Sequence, residues 1–290
     1  RFQQRTWLLS RTPSISMDDS LGANIWIDHN NGKIWRIMPR CNPEVNRSWL
    51  SNTSRLAYLS FSENRLPATG GLSVISDLLK KAKKIALVAG GSCTLEDLAA
   101  LKMLKDSLGD RATVFGGTLC PVVESDGIAK SGDPLANRAG FKALGIPDNN
   151  LNDLMKHATD YDVLFTVHND LLGDDEGAMI LKKIPNRVVL SAFNDETVAA
   201  ATLVYGVNHW SEVTGTMINS LNILQKLSAV PTSPDAQLKP AYEVLSTLAA
   251  NPLTSAIAAL QKVQEFVPAL KPYSYENIRS TGVKLDGVLL

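Results

Sequence analysis

Short runs of apolar residues open this chain, and longer helix-and-strand alternation follows them. Asn24–Asp28 and Lys33–Met38 are rich in Ile and Trp. Between them His29-Asn30-Asn31-Gly32 ends in Asn-Gly, the pair that best tolerates positive φ in a tight turn, so the two runs predict a hairpin. Met38–Pro43 contains two prolines, which forbid regular pairing. Asn52–Tyr58 predicts a short helix, and Pro67–Gly71 a linker. Ahead of the hairpin, residues 1–22 read as a polar arm. Arg5 and Arg11 flank Trp7-Leu8-Leu9 there, and Arg11-Thr12-Pro13-Ser14 is turn-rich, as expected of a segment that lies across a neighbour rather than folding alone.

Beyond the linker the rhythm changes. Leu72–Lys83 has helical spacing at Leu72, Ile75, Leu78 and Leu79. Ile85–Ala89 is a continuous apolar run ending in Gly90-Gly91-Ser92, and a helix follows with Leu95, Leu98, Leu101 and Leu104 on one side and Gly109 closing it. Thr94 with Asp97 three residues on resembles a capping box. Further strands are predicted at Ala112–Phe115, Asp162–Val167, Arg187–Phe193 and Thr202–Val207. The expected fold class is α/β, a doubly wound and mostly parallel sheet of about five strands. A small N-terminal hairpin module precedes it and a helical region follows from Gln237 to Phe266, broken near Asn251-Pro252. Domain limits are expected at 1–66, 67–230 and 231–290, with the tail after Tyr273 extended or irregular.

Composition narrows the class. Lys plus Arg and Asp plus Glu are 29 each in 290 residues, so no global field favours nucleic acid. No apolar run approaches the ~18–20 residues of a membrane span, so any membrane association is expected to run through partners. Three separated cysteines, Cys41, Cys93 and Cys120, form no CxxC pair and no disulfide framework. An iron–sulfur cluster needs about four thiolates, more than this chain supplies alone. The first residue is Arg and no signal peptide is visible, as in a piece of something longer.

Doubly wound sheets bind ligands at the carboxyl ends of their strands. Here those ends are Gly90-Gly91-Ser92, Gly116-Gly117, His168-Asn169-Asp170 and Asn194-Asp195. The Gly90–Ser92 turn could cradle a phosphate at a helix N-terminus, but it has neither a GxGxxG fingerprint nor a Walker lysine, so a structural turn is the preferred reading. His168, Asn169 and Asp170 with Asp174, Asp175 and Glu176 could bind a metal; a solvated loop is preferred. Cys93 stands at a helix start, where a thiol can be activated, but no histidine lies near it in sequence, and a packed side chain is preferred. His209-Trp210 reads as a packing pair, His29 belongs to a turn and His157 to a helix. The module from Ala23 to Leu66 carries no catalytic constellation. It is expected to dock three tryptophans, Trp26, Trp35 and Trp49, onto something.

The order of these pieces resembles the module that opens the C-terminal half of the large iron–sulfur subunit of respiratory complex I, a relative of the molybdopterin oxidoreductases. The matching residues are Trp7, Gly22-Ala23-Asn24-Ile25, Arg36-Ile37-Met38-Pro39-Arg40, Asn46-Arg47-Ser48-Trp49-Leu50-Ser51, Arg55-Leu56-Ala57-Tyr58 and Arg65-Leu66. Further on, Gly91–Glu96, Asp133–Gly140 with Leu144-Gly145, and Glu212–Asn219 match more diffusely, and the likeness fades after Lys226. The resemblance implies a non-catalytic segment of an NADH:quinone oxidoreductase subunit. Iron–sulfur clusters are then expected only in an N-terminal part outside this chain, with no cofactor in this segment. Gly90, Gly91, Ser92, Gly116, Gly117, His168 and Asn169 would line a vestigial pocket, because the Gly/Asn-Pro turn that holds the pterin pyrophosphate in molybdopterin relatives is missing. Implied partners are the cluster-bearing part of the same subunit and other peripheral-arm subunits, with no nucleic acid and no direct membrane insertion. The implied location is the cytoplasmic face of an inner membrane or the matrix side. Two alternatives stay open: a cofactor-binding fragment of a formate-dehydrogenase-like enzyme, and a soluble nucleotide-binding domain.

Overall fold

The computed structural model describes residues 4–120, 122–172, 176–232, 235 and 237–285. It begins with a three-stranded antiparallel sheet of β1 (Ser10–Ile15), β2 (Asn24–Asn30) and β3 (Lys33–Pro39), in the order β1-β2-β3. The hairpin forms because Asn31 and Gly32 both take positive φ, 50° and 71°, as a two-residue turn of this twist demands. Between the pairs Asp28↔Arg36 and His29↔Ile34 the register shifts, leaving Trp35 as the extra residue of a bulge. Ile25, Ile27, Ile34 and Ile37 pack inward with Leu50 and Val230. On the other face Asp28, almost fully buried, accepts from Arg11 Nε at 2.6 Å and Arg36 Nε at 2.5 Å.

The arm is the first correction. Ser10–Ile15 does not lie loose across a neighbour but pairs with β2 along its whole length. Pro13 concealed the strand; an edge strand accepts proline because its outer side needs no ladder hydrogen bond. The helix α1 (Asn52–Leu56) follows, capped by Ser51 Oγ, which accepts from Ser54 N.

Next come α2 (Leu72–Lys81), β4 (Ile85–Ala89), α3 (Leu95–Leu108), β5 (Ala112–Gly116), α4 (Arg138–Ala143), α5 (Leu151–Lys156), β6 (Val163–Val167), α6 (Glu176–Leu181), β7 (Asn186–Ser191), α7 (Glu196–Ala199) and β8 (Leu203–Gly206). Their five strands form one parallel sheet in the order β5-β4-β6-β7-β8. The α/β class is therefore as expected. Alternation along β4 sends Ile85, Leu87 and Ala89 into a core shared with Leu98 and Leu101 of α3, and Ala86 and Val88 into a second core with Leu154 and Leu181. The central strands β4 and β6 are thus buried on both faces along their whole length, which is why their runs are continuously apolar. At the start of α3, Thr94 Oγ1 accepts from Asp97 N at 3.2 Å while Asp97 returns a carboxylate to Thr94 N at 3.0 Å. The helical region contains α8 (Ala241–Leu248) and α9 (Ala256–Phe266), both packed on α3.

The tail, expected to be extended or irregular, is extended at Val283–Lys284: it forms β11, pairing with β10 (Ile223–Leu227), which pairs in turn with β9 (Gly215–Ile218). Strands of two to five residues are too short to show a rhythm in sequence. This small sheet is fastened to α3 by Glu96, which is wholly buried. Glu96 accepts from Thr216 N and Thr216 Oγ1, both at 2.8 Å, and from Tyr275 OH at 2.7 Å. Burial pushes the Glu96 carboxyl up to about 7 despite those donors. The small sheet also holds the N-terminal module, through Gln225 Nε2 to Gly22 O at 3.0 Å and Asn219 Nδ2 to Leu21 O at 3.0 Å. Arg40 Nη1 reaches Ser280 O at 2.6 Å and Asn42 Nδ2 reaches Thr281 O at 2.9 Å. Among the described residues no helix is long and apolar enough to cross a membrane.

Candidate functional site

Strand order reverses between β4 and β6, the place where a doubly wound sheet opens a crevice for a ligand. All seven residues singled out from the sequence do collect at this end of the sheet: Gly90, Gly91 and Ser92 after β4, Gly116 and Gly117 at β5, His168 and Asn169 after β6. Their geometry is that of a closed seam. A Cβ on Gly90 would lie 1.8 Å from His168 O and 3.0 Å from Asn169 Cα, so the two segments touch backbone to backbone. His168 takes φ 49° and donates its N–H to Leu190 O at 3.0 Å. Asn169 Nδ2 bridges Ala89 O at 3.2 Å and Gly117 O at 3.1 Å, tying two strand ends together.

The remaining glycines face the chain's own loops. Gly91 lies against Pro134 O and Gly116 against Pro147 O, with hypothetical Cβ distances of 2.9 and 2.1 Å. Arg138 holds both loops, pairing with Asp133 at 2.5 Å and Asp148 at 2.9 Å. Asn137 continues the closure, donating to Cys93 O at 3.1 Å and accepting from Ile218 N at 3.0 Å. The start of α3 also opposes a phosphate electrostatically, because Glu96 and Asp97 already place carboxyl groups in its first turn. A cavity of 320 Å³ beside the seam is lined by Thr118, Cys120, Arg138, Asp148 and neighbours, and by none of the seven.

The other candidates separate clearly. Cys93 is buried, its thiol pushed well up by burial and by Asp97, with Sγ 3.6 Å from Val167 O. It is a packing residue. Asp170 accepts from Thr197 Oγ1 at 2.5 Å. Asp174, Asp175 and the Glu176 side chain lie outside the described residues. Among the described residues no group of three His, Cys, Asp or Glu is placed to hold a metal ion. His209 packs between Phe61, Phe193 and Trp210, and its proton affinity is driven well down by burial and then by Arg65 and His168.

The sequence reading missed the centre of this aromatic group. Arg65 and Glu212, 147 positions apart, form an ion pair at 2.6 Å with side chains only 6% and 5% exposed. Arg65 Nε and Nη1 have no hydrogen-bond acceptor. The signal was present only as two fragments, the closing Arg65-Leu66 and the Glu212–Asn219 segment, with nothing to show that they meet. The tryptophans need correcting too. Trp26 is half-buried with Arg11 and Arg40 each 5.7 Å from its ring centroid, and Trp35 is half-buried under Lys33 at 4.6 Å. Only Trp49 of the three is exposed, at 60%, and the arm adds Trp7 at 76%. Trp26 and Trp35 find their cover inside the module, so they are not free to dock.

Comparison with known proteins bears on this N-terminal module. Residues 9–59 match the family model described as NADH-ubiquinone oxidoreductase NDSU1/NuoG-like, 4Fe-4S domain. Over 124 residues, 37% of this chain, the sequence is 35% identical to the G subunit of the NADH-quinone oxidoreductase of Rickettsia felis. Over these residues the chain is NuoG-like. A second relative, the NADH-ubiquinone oxidoreductase 75 kDa subunit of Reclinomonas americana, is 27% identical over 158 residues, 49% of this chain. The chain covers only 18% and 23% of these relatives' lengths. An exopolyphosphatase-related protein from Bacteroides fragilis overlays 47% of this chain and 38% of its own at 15% identity, with a TM-score of 0.29, too low to carry an argument.

The matched family's description names a 4Fe-4S domain, which invites a test of this NuoG-like chain's donors. Residues 9–59 contain a single cysteine, the exposed Cys41; Cys120 is exposed elsewhere and Cys93 is buried. A cluster of that type takes about four thiolates. The residues present do not fit a cluster held by this stretch alone.

Proposed function

We propose that this chain is a positional part of the large iron–sulfur subunit of an NADH:quinone oxidoreductase, without catalytic residues or a resident cofactor of its own. It retains the sheet of the molybdopterin oxidoreductases and buttresses the cluster-bearing part of the subunit and neighbouring peripheral-arm subunits. It does so on the cytoplasmic or matrix side of the membrane and without entering it. The observation that carries this reading is the seam: Gly90 against His168 O, with Asn169 bridging Ala89 and Gly117, occupies the place where a pterin or a nucleotide would lie. Electron transfer depends on fixed cluster spacing, and a rigid neighbour without its own redox group serves that end.

The test is co-expression with the cluster-bearing part of a relative, followed by co-purification and metal analysis. Joint purification with iron only in the partner is the expected result. Stoichiometric molybdenum or tungsten, or an extractable pterin, in this chain would refute it in favour of the formate-dehydrogenase-like alternative. Calorimetry with NADH and ATP tests the nucleotide-binding alternative, which a Kd tighter than about 1 μM (about −8 kcal/mol) would favour. A second reading follows from the 4Fe-4S description of the matched family: exposed Cys41 joins thiolates from outside this chain. Cys41→Ser in the assembled complex checks it, since loss of iron would favour that reading and unchanged iron would exclude it.

A further inference from the structure

Residues 273–282, which contain neither helix nor strand, run as a strap over the start of α3. Tyr275, in a turn of that strap, places its hydroxyl 2.7 Å from Glu96 Oε1 and 3.3 Å from Ala256 O at the first residue of α9. A hydroxyl has one proton and cannot serve both acceptors at once. When Glu96 carries a proton it can donate to Tyr275, which donates onward to Ala256 O, and the strap is stitched between α3 and α9. When Glu96 is ionised it only accepts. Tyr275 must then turn back towards it, and the stitch to α9 is broken.

That ionised carboxylate has no cation to meet. The ionisable groups facing it are Asp97 on α3, Tyr242 and Glu243 on α8, and Tyr275 itself. The strand β9, which supplies Thr216, has no ionisable residue. Lys226 of β10 is engaged by Tyr275 O at 2.6 Å, Lys262 of α9 by Glu265, and Arg138 of α4 by Asp133 and Asp148. A buried charge in such surroundings gains most by reaching water. The cover that can yield is the strap. Thr216 is fixed in β9 by its pairing with β10, whereas the strap near Tyr275 is held by side-chain donors, Lys226 Nζ on Tyr275 O and Gln264 Nε2 on Tyr273 O, both at 2.6 Å.

We infer that the strap is a proton-controlled clasp, closed over α3 and α9 while Glu96 is protonated and lifted, with the body still folded, when Glu96 ionises. Ser280 O and Thr281 O travel with it. Arg40 then keeps only its contacts of 3.4 Å to Ile25 O and Ser14 O, so a proton on α3 sets the grip between the α/β body and the N-terminal module. The device belongs to this chain alone and needs no partner.

Hydrogen exchange of the full chain at pH 5 and pH 8 tests the clasp, read as protection factors from which the intrinsic pH dependence of exchange is divided out. The carboxyl titrates at its ordinary 4.5 with the strap lifted and at about 7 with it closed, so the lifted population should grow about 70-fold between the two conditions. The protection of Ile278 and Gly282, whose amides are hydrogen-bonded in the closed strap, should fall by that factor. Leu87, in the middle of β4, should remain better protected at both pH values, and urea below the unfolding transition should speed its exchange but not that of the strap. Glu96→Gln should hold the strap's protection to within about threefold between the two conditions. Glu276→Gln, which removes an exposed carboxylate of the strap itself, should keep the full fall. Equal strap protection at the two pH values in the parent protein would overturn the inference. So would protection and urea response matching those of Leu87, since the strap would then open only with the whole fold, or a full fall that persists in Glu96→Gln. The parent's pH and urea responses are read without any variant, so a substitution that fails to fold leaves the test intact.

Discussion

Glu96 makes the fold's stability depend on pH in a direction opposite to that of ordinary surface carboxylates. Its carboxyl is raised from 4.5 to about 7 by burial, so the folded state holds the proton more tightly than the unfolded one. Stability from this group is fully present below about pH 4.5 and falls as pH rises, levelling off above about 7. At about 1.4 kcal/mol for each tenfold change in proton affinity, the loss across that window is roughly 3 kcal/mol, a large share of a typical folding free energy. Glu96→Gln removes the titration while keeping the shape. Its oxygen can accept from Thr216 N, and its amide can donate to Tyr275 OH and Thr216 Oγ1, both of which can turn to accept. The assay is urea unfolding of both proteins at pH 5 and pH 8. The stability of the Gln variant relative to the parent should rise by roughly 2–3 kcal/mol between the two conditions, a change of the order of 6 °C in Tm at pH 8. Taking the difference is essential, because burial also raises Asp19 to about 6 and that group titrates equally in both proteins. A difference that stays constant between pH 5 and pH 8 would refute the reasoning.

Three further outcomes follow. Gly90→Ala should destabilise by roughly 3 kcal/mol or more, because its Cβ would stand 1.8 Å from a backbone oxygen, whereas Gly70→Ala, with nothing within 4 Å, should be nearly neutral; thermal unfolding of the pair checks this. Asp28→Ala leaves Arg11 and Arg36 without their shared carboxylate, but both guanidinium groups reach solvent, so it should cost roughly 1–2 kcal/mol by urea titration. Burial pushes the Asp28 carboxyl up, but the hydrogen bonds from the two arginines outweigh it and hold the group low, so its contribution is present above about pH 4 and lost on acidification below that. Thr94→Ala, which removes the cap of α3, should cost about 1 kcal/mol by the same urea titration.

The parallel sheet was readable because its central strands are buried on both faces, and runs such as Ile85–Ala89 announce that without tertiary information. Asn31-Gly32 announced the hairpin for a local reason as well. What stayed hidden was non-local. Pro13 looked like a turn because only pairing with Trp26 shows that its ring occupies a free edge. β9 and β11 are too short to carry a rhythm and exist because β10 lies between them. At the strand ends, composition indicated that Gly90, Gly116 and Gly117 had to be small. It could not say whether the space was left for a ligand or for the chain itself; the segments after Val167 and Ile146 decide that. The Arg65–Glu212 pair was hidden for the same reason, since two ordinary surface-type residues become a buried centre only when distant segments meet.

The attachment of the first strands to the last residues has a consequence for dissection. Arg40 and Asn42 lean on carbonyls at 280 and 281, while Leu21 and Gly22 are gripped by Asn219 and Gln225. The family-matching stretch is therefore not a detachable cassette. Expressed by itself it would forfeit its lining of Val230 and four of its anchoring contacts, and trimming the chain from its far end would loosen the module nearest its beginning.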